Sequence, residues 1–541
     1  MKNIFKISNI FGIGLLYILS GCHKDLDLYP TNDNTPEKVY STIGGFDAAM
    51  AKVYGAMALT GNSGPAGSGD VSGDEGFSDF VRIFWNLQEL STDEAIVAWA
   101  DVGLPDIHNH SYTSLNPFVR QFYRRCLFHV TLINEFIRES SDAKISERGF
   151  SAADADKIRL YRSEARLIRS FVYWALLDLY GNVPFITEAD RVGTDLPRQG
   201  TRAEIFAYVE KELKELETTL VEPRTNIYGR FDRACVWALL ARLYLNSEVY
   251  VQTNRYADAL TYAKKVIDAG YSLHTNYREL MLADNNRITN EILFAVPYDG
   301  LRSKNYGGTT FLVNGSIGAP MVASDYGMSG TGWAGMRTTK GLVNLFTLGA
   351  TPVDSSNFDY RAQFFTQGAS LEINSVAAFA DGYKVIKYRN LTSDGSRASN
   401  FAEAFSDIDF PLFRLPEMYL IYAECVKRGA TNGDEATAVN YINAMRARAY
   451  RNDKYGNSNG QISTADLTLD FILDERGREL YWEGHRRTDL IRYDKFSGGA
   501  YLWPFKGGQR DGAPISDHLE LYPIPSDDLV SNPNLKQNPG Y

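Results

Sequence analysis

The stretch "ERGRELYWEGHRRTDLIRY", Glu475 to Tyr493, sets three Glu, five Arg, one His and one Asp within nineteen residues. Glu483 and His485 could serve a hydrolase as general acid and base. The zinc-protease pattern of two histidines flanking a glutamate is absent, since His485 is the segment's one imidazole. On a continuous helix Glu475, Glu479 and Glu483 fall at successive i,i+4 positions between Arg476 and Arg478, which predicts ion pairs along a face. Leu480, Tyr481 and Trp482 would form the buried side. Arg486, Arg487 and Arg492 would bond carboxylates and carbonyls of neighbouring helices. The scaffold reading is the stronger one.

Other constellations offer less. "GMSGTG", from Gly327, holds Ser329 without the spacing of a nucleophile elbow. His108 and His110 in "HNHS" are two possible metal ligands with no third nearby. No phosphate-binding glycine loop or dinucleotide fingerprint occurs. Nothing in the chain demands catalysis, a resident cofactor or a metal.

The elements that must position any site are helical. "EARLIRSFVYWALLDLYGNVPF" places Leu167, Ile168, Phe171, Val172, Ala175 and Leu179 on one face, with Gly181 and Pro184 as a stop. "DRACVWALLARLYLNSEVY" spaces Ala234, Ala238 and Ala241 so that another helix can approach. "RYADALTYAKKVIDAGY" follows it. "FRLPEMYLIYAECVKRGATNGDEATAVNYINAMRARAY" gives two more helices around a Gly429–Gly433 turn. The fold class expected is mostly α, with tetratricopeptide-like helical hairpins as scaffold. Two regions break the pattern: the Gly/Ser-rich run from Gly61 to Gly76, and about Tyr298 to Ser406, which has no sustained period. Long irregular stretches of this kind usually carry function.

With 541 residues, 44% hydrophobic and 23% charged, the composition is that of a globular protein. A formal net charge of −10 argues against general nucleic-acid binding. "MKNIFKISNIFGIGLLYILSGC" carries Lys2 and Lys6, then an apolar run too short to span a bilayer, then Leu19-Ser20-Gly21-Cys22. That is a lipobox. Residues 1–21 are expected to be a signal peptide, with Cys22 lipidated and the membrane reached through that anchor. Residues 22–541 are expected to be one domain, with loop-rich insertions around 60–110 and 298–406. Cys126, Cys235 and Cys425 lie in apolar helical stretches and are expected to be buried free thiols.

These features together are recognisable. "ERGRELYWEGHRRTDLIRY", "EARLIRSFVYWALLDLYGNVPF", "FRLPEMYLIYAECV" and the terminal "YPIPSDDLVSNPNLKQNPGY" resemble the SusD/RagB family of nutrient-binding outer-membrane lipoproteins of Bacteroidetes. The resemblance spans nearly the whole mature chain. It implies a cell-surface protein that caps a SusC-like TonB-dependent transporter and captures glycan without cleaving it. "GDEGFSDFVRIFWNLQELSTDEAIVAWAD", "NYGGTTFLVNG" and "GTGW" look like segments of the family's starch-binding member. By that likeness Trp99, Tyr306 and Trp333 would form an aromatic arc for starch or maltooligosaccharide. Arg82 and Asp74 would hydrogen-bond sugar hydroxyls. Where the starch binder has an Asn, this chain has Val102, which puts one hydroxyl contact in question. Asp284, Asp407 and Asp409 are the oxygen donors available to a structural calcium. The competing expectation keeps the transporter role and changes the ligand to another glycan or a peptide.

Overall fold

The computed structural model describes residues 35–65, 69–71, 76–190, 193, 195–346 and 357–541. The signal peptide, Cys22 and Asp74 lie outside these. The chain divides into residues 1–49 and 50–541. In the first, Thr35 caps a helical turn, Pro36–Val39, through its hydroxyl, and Tyr40 meets Phe46 edge-on at 5.0 Å.

The larger unit is mostly helical, and its strands are two to five residues long and paired in twos. Its principal helices are α1 (Phe80–Glu89), α2 (Pro117–Glu139), α3 (Ala152–Leu179), α4 (Arg202–Leu216), α5 (Arg233–Leu245) and α6 (Tyr256–Ile267). They are followed by α7 (Gly308–Ser316), α8 (Leu415–Lys427), α9 (Glu435–Ala449), α10 (Leu469–Leu480) and α11 (Arg486–Arg492). Local chemistry sets their starts. Asn116 accepts from the first amides of α2, Ser151 caps α3, Thr201 and Glu204 close a capping box on α4, and Asp232 caps α5. The packing of α2 on α3, α3 on α4, α5 on α6, α6 on α8 and α8 on α9 builds the scaffold. Ala234, Ala238 and Ala241 are wholly buried, as close helix approach requires, and so are the predicted core residues of α3. Cys126, Cys235 and Cys425 are buried and unpaired. No helix among the described residues is long and apolar enough to cross a membrane.

Two expectations change. The irregular region holds a nine-residue helix, α7, "GTTFLVNGS". Every residue of it is buried, so it has no polar face and no amphipathic period to read. The charged segment is also not one helix. α10 stops at Leu480, Trp482 and Gly484 take positive φ (64° and 83°), and α11 begins at Arg486. Glu483 therefore leaves the i,i+4 ladder.

The segment's charges are interior. Glu479, fully buried, meets Arg414 at 2.7 Å, Arg448 at 2.5 Å and Arg361 at 3.2 Å. Glu475 meets Arg361, Arg446 and Arg478 at 2.7–2.8 Å, and Glu483 takes Arg414 at 2.7 Å and Lys387 at 2.6 Å. Arg361, Arg414, Arg446 and Arg448 come from other parts of the chain; only Arg478 is a helical neighbour. Arg492 pairs with Glu424 of α8 and Arg487 donates to the Leu519 carbonyl, as expected of these arginines. Glu475, Glu479 and Glu483 each have two or more cationic partners, the arrangement that makes burial tolerable.

Burial alone would raise the Glu479 carboxyl, but the Arg448, Arg414 and Arg361 charges outweigh it and hold the group at about 2. An unfolded Glu titrates near ~4.3. The folded value is thus depressed, so its stability contribution is present above that unfolded value and is lost as pH falls towards 2. We expect the urea midpoint to drop between pH 5 and pH 3, and Glu479→Gln to flatten that slope. An unchanged slope in the variant would refute the assignment.

Candidate functional site

The site begins where α1 begins. Asp79 is its N-cap: Oδ1 accepts from Arg82 N at 2.7 Å and also from Gly308 N, the first amide of α7, at 2.8 Å. One carboxylate thus joins two helix starts. Burial raises its pKa even against these amides. The loop before α7 is pinned at the same place. Asn305 donates to the Ala58 carbonyl at 2.6 Å and accepts from Gly307 N, and a side chain at Gly307 would collide with Asp79. Tyr306 sits between these anchors. At Gly76 (φ 67°) an added Cβ would lie 2.3 Å from the Tyr306 backbone, so a glycine is needed there both for conformation and for space.

The second wall comes from β1 (Ile96–Val97) and β3 (Met336–Arg337), paired antiparallel with Ile96 opposite Arg337. The pairing runs on as Ala98 N to Gly335 O at 2.8 Å, which carries Trp99 across the Trp333 loop. Trp99 Nε1 donates to the Trp333 carbonyl at 2.9 Å. The backbone amide of Trp333 donates to Asn314 O of α7 at 2.8 Å. Asn314 Nδ2 also reaches the Ala404 carbonyl at 3.1 Å, joining a further loop to the same helix.

The three sequence-predicted rings are brought together. Trp99 and Trp333 have centroids 6.5 Å apart with planes tilted by 51°, and Trp333 and Tyr306 are 6.3 Å apart at 59°. All three are half-buried. Tyr306 is backed by Phe405 at 5.3 Å and Trp99 by Phe311 at 5.9 Å. Arg82 is half-buried with its guanidinium 4.5 Å from the Phe311 centroid, one ring away from Trp99. The result is a bent aromatic surface with a cation behind one end. Val102, three residues past Trp99, is 85% exposed.

The charged segment supports this wall at a distance. Arg486 clamps Asp93 with bonds of 2.8 and 2.7 Å, and Tyr501 donates to the same carboxylate. Glu94 accepts from Trp482 N at 2.8 Å while its carbonyl takes the Trp482 indole N–H. Glu89 accepts from Gly484 N and His485 N. Burial pushes both the Glu89 and Glu94 carboxyls up. These residues hold the chain that leads into β1 and Trp99, and sequence reasoning missed them. Three acids in "QELSTDEAIV" ahead of an apolar pair were the available signal.

Gly335 is the tightest support. A Cβ there would lie 2.1 Å from Trp99, because the glycine backbone lies against the indole. Gly335→Ala should displace Trp99 and weaken ligand binding at least tenfold with a small change in melting temperature. Titration calorimetry beside a thermal melt tests this, and full affinity in a folded variant would refute it.

The remaining candidates are structural. His110 Nδ1 accepts from Gly507 N and its Nε2 meets the Ser91 carbonyl at 2.9 Å, so that nitrogen carries the proton. Burial lowers its pKa to about 3 and that of His108 to about 4, which keeps both neutral. Ser329 donates to the Ala402 carbonyl. Asp284 accepts from Ser393, Asp407 from Gly300 N and Ser399, and Asp409 from Tyr298 N and Tyr228. No group of three or more His, Cys, Asp or Glu among the described residues is arranged to hold a metal. A cleft lined by Arg224, Tyr228, Tyr271 and the strand β2 (Ile292–Val296) shares no residue with the aromatic wall.

Against known proteins, residues 355–541 match the model described as SusD family, and residues 96–245 match one described as starch-binding associating with outer membrane. Starch-binding protein SusD of Bacteroides thetaiotaomicron is 33% identical over 99% of both chains. The chain belongs to the SusD family. SusD-like protein P2 of Formosa agariphila is 23% identical over 98% of both chains. Among solved structures, surface glycan-binding protein A from Bacteroides uniformis superposes with a TM-score of 0.69 at 20% identity, covering 92% of this chain and 99% of that one. The corresponding protein from Bacteroides fluxus gives 0.68 at 18%, covering 92% and 100%. At that identity the structural likeness concerns the fold. SusD and the two surface glycan-binding proteins are named for binding, and none of the four relatives is named for catalysis. The SusD-family matches cover both the β1–α5 region that carries Trp99 and the charged segment beneath it.

Proposed function

We propose that this SusD-family chain is a cell-surface lipoprotein that captures starch or maltooligosaccharides and passes them, uncleaved, to a SusC-like TonB-dependent transporter. The lipid on Cys22 would hold it to the outer membrane, facing outwards. The carrying observation is the contiguous group of Trp99, Trp333 and Tyr306, half-exposed and mutually tilted. Pyranose rings offer C–H faces that pack on aromatic rings. An α-1,4-glucan coils, so a bent wall suits it better than it suits a flat, ribbon-like glucan. Arg82 and, by the family resemblance, Asp74 would fix the sugar through its hydroxyls, the usual division between apolar platform and orienting polar groups. The name of the 33%-identical relative supports the same ligand.

Calorimetry should show binding of maltoheptaose and cyclodextrins by the soluble body and none of cello-oligosaccharides. Incubation with amylopectin should release no reducing ends. Equal affinity for coiled and extended glucans would sink the starch reading. A second reading, a different glycan or a peptide in the same transporter role, is favoured by Val102, three residues after Trp99, whose exposed isopropyl group offers no hydrogen bond. A glycan array separates the two.

A further inference from the structure

Glu89, the last residue of α1, and Glu94, two residues ahead of β1, close on one turn. Glu89 Oε1 accepts from Gly484 N at 2.5 Å and from His485 N at 3.1 Å, while Glu94 Oε2 accepts from Trp482 N at 2.8 Å. The two carboxyls lie within hydrogen-bond reach of each other. Both are wholly buried, and Glu89 Oε2 has no donor among the described residues. As two carboxylates they could only repel, since each accepts and neither has a proton to offer. A carboxylic acid on one side changes this. It donates the bond that Glu89 Oε2 lacks and cancels one of the two charges.

No cation is left over to do the same. Lys387, whose charge reaches Glu89, is committed to Glu483 at 2.6 Å and to the Tyr481 carbonyl at 2.7 Å. Arg486 bonds Asp93 twice, at 2.8 and 2.7 Å, and stays 3.9 Å from Glu94 Oε1. Asp93 itself adds negative charge beside Glu94. The other titratable side chains here are uncharged. Burial raises the phenols of Tyr388 and Tyr481 and lowers the imidazole of His485, and the two hydroxyls donate to the Trp482 and Arg361 carbonyls.

We propose that Glu89 and Glu94 share one proton, carried by Glu94 and donated to Glu89 Oε2, and that this bond latches the chain entering β1 to the Trp482–His485 turn. Glu94 is the carrier because Glu89 already accepts two backbone amides, which favour its charged form. Loss of the proton leaves two adjacent negative charges in the interior and opens the latch. The segment that slackens is the one whose Ala98 amide bonds Gly335 O and whose next residue is Trp99. The support of the aromatic wall thus depends on pH, whatever ligand the wall takes.

Burial raises both carboxyls, and the Glu89 charge raises Glu94 further. A carboxyl held above its unfolded value of ~4.3 contributes stability that is fully present below that value and is lost as pH rises through the folded one. Glu94→Gln supplies a permanent N–H donor to Glu89 and keeps an oxygen for Trp482 N. The urea midpoint of the unaltered protein should therefore fall more steeply from pH 5 to pH 9 than that of the variant. Infrared difference spectra at pH 7 should show a carboxylic-acid C=O band that the variant lacks. At pH 9, amide exchange in the peptide carrying Ala98 should be slower in the variant. Absence of the band overturns the shared proton, and equal pH slopes or equal exchange overturn the latch. Should Glu94→Gln fail to fold, Glu89→Gln places the same donor on the other side of the pair and is read by the same three measurements.

Discussion

Replacing Trp333 with alanine should raise the dissociation constant for maltoheptaose about 30-fold or more, roughly 2 kcal/mol, while the melting temperature barely moves. The central ring touches both neighbours, at 6.5 and 6.3 Å, so its loss breaks the wall into two isolated rings. The loop itself is held by the backbone, through Trp333 N to Asn314 O and Trp333 O from the Trp99 indole, and an alanine leaves those bonds available. A half-buried indole also contributes less to folding than a core one. Parallel calorimetry and thermal melts read both quantities. A loss of stability equal to the loss of affinity would assign Trp333 to the core.

Glu479→Ala should show the opposite pattern. It leaves Arg361, Arg414 and Arg448 without a shared carboxylate in the interior, and breaking a buried pair from one side costs about 3–5 kcal/mol. Urea unfolding should register most of that loss, and the folded fraction should bind maltoheptaose with unchanged affinity. A variant of normal stability that no longer binds would instead place Glu479 in the functional machinery. The two substitutions together separate wall from scaffold.

Several parts of this division were readable from residues alone. The core face of α3 and the alanine spacing of α5 repeat at helical period, and the caps Asn116, Ser151, Thr201 and Asp232 sit at the starts of their helices, so both signals are local. The helix α7 was not readable, because full burial removes the polar face on which amphipathicity depends. The break after Leu480 was hidden for a different reason. The i,i+4 spacing of three glutamates is a valid helix pattern until Trp482 and Gly484 take positive φ, a conformation imposed by docking on Glu89 and Glu94.

The site divides in the same way. Trp99, Tyr306, Trp333 and Arg82 could be named by resemblance, but nothing in the 234-residue separation of Trp99 from Trp333 says that they meet. The sequence by itself determined the helical scaffold, the residue types on offer and the absence of any motif that demands catalysis, since helix period, capping and motif spacing act over a few residues. Tertiary structure alone decided that three distant rings adjoin, that Gly335 must be bare, and that the charges are interior. Ring contact and ion pairing are long-range, and their partners are chosen only when the chain closes on itself.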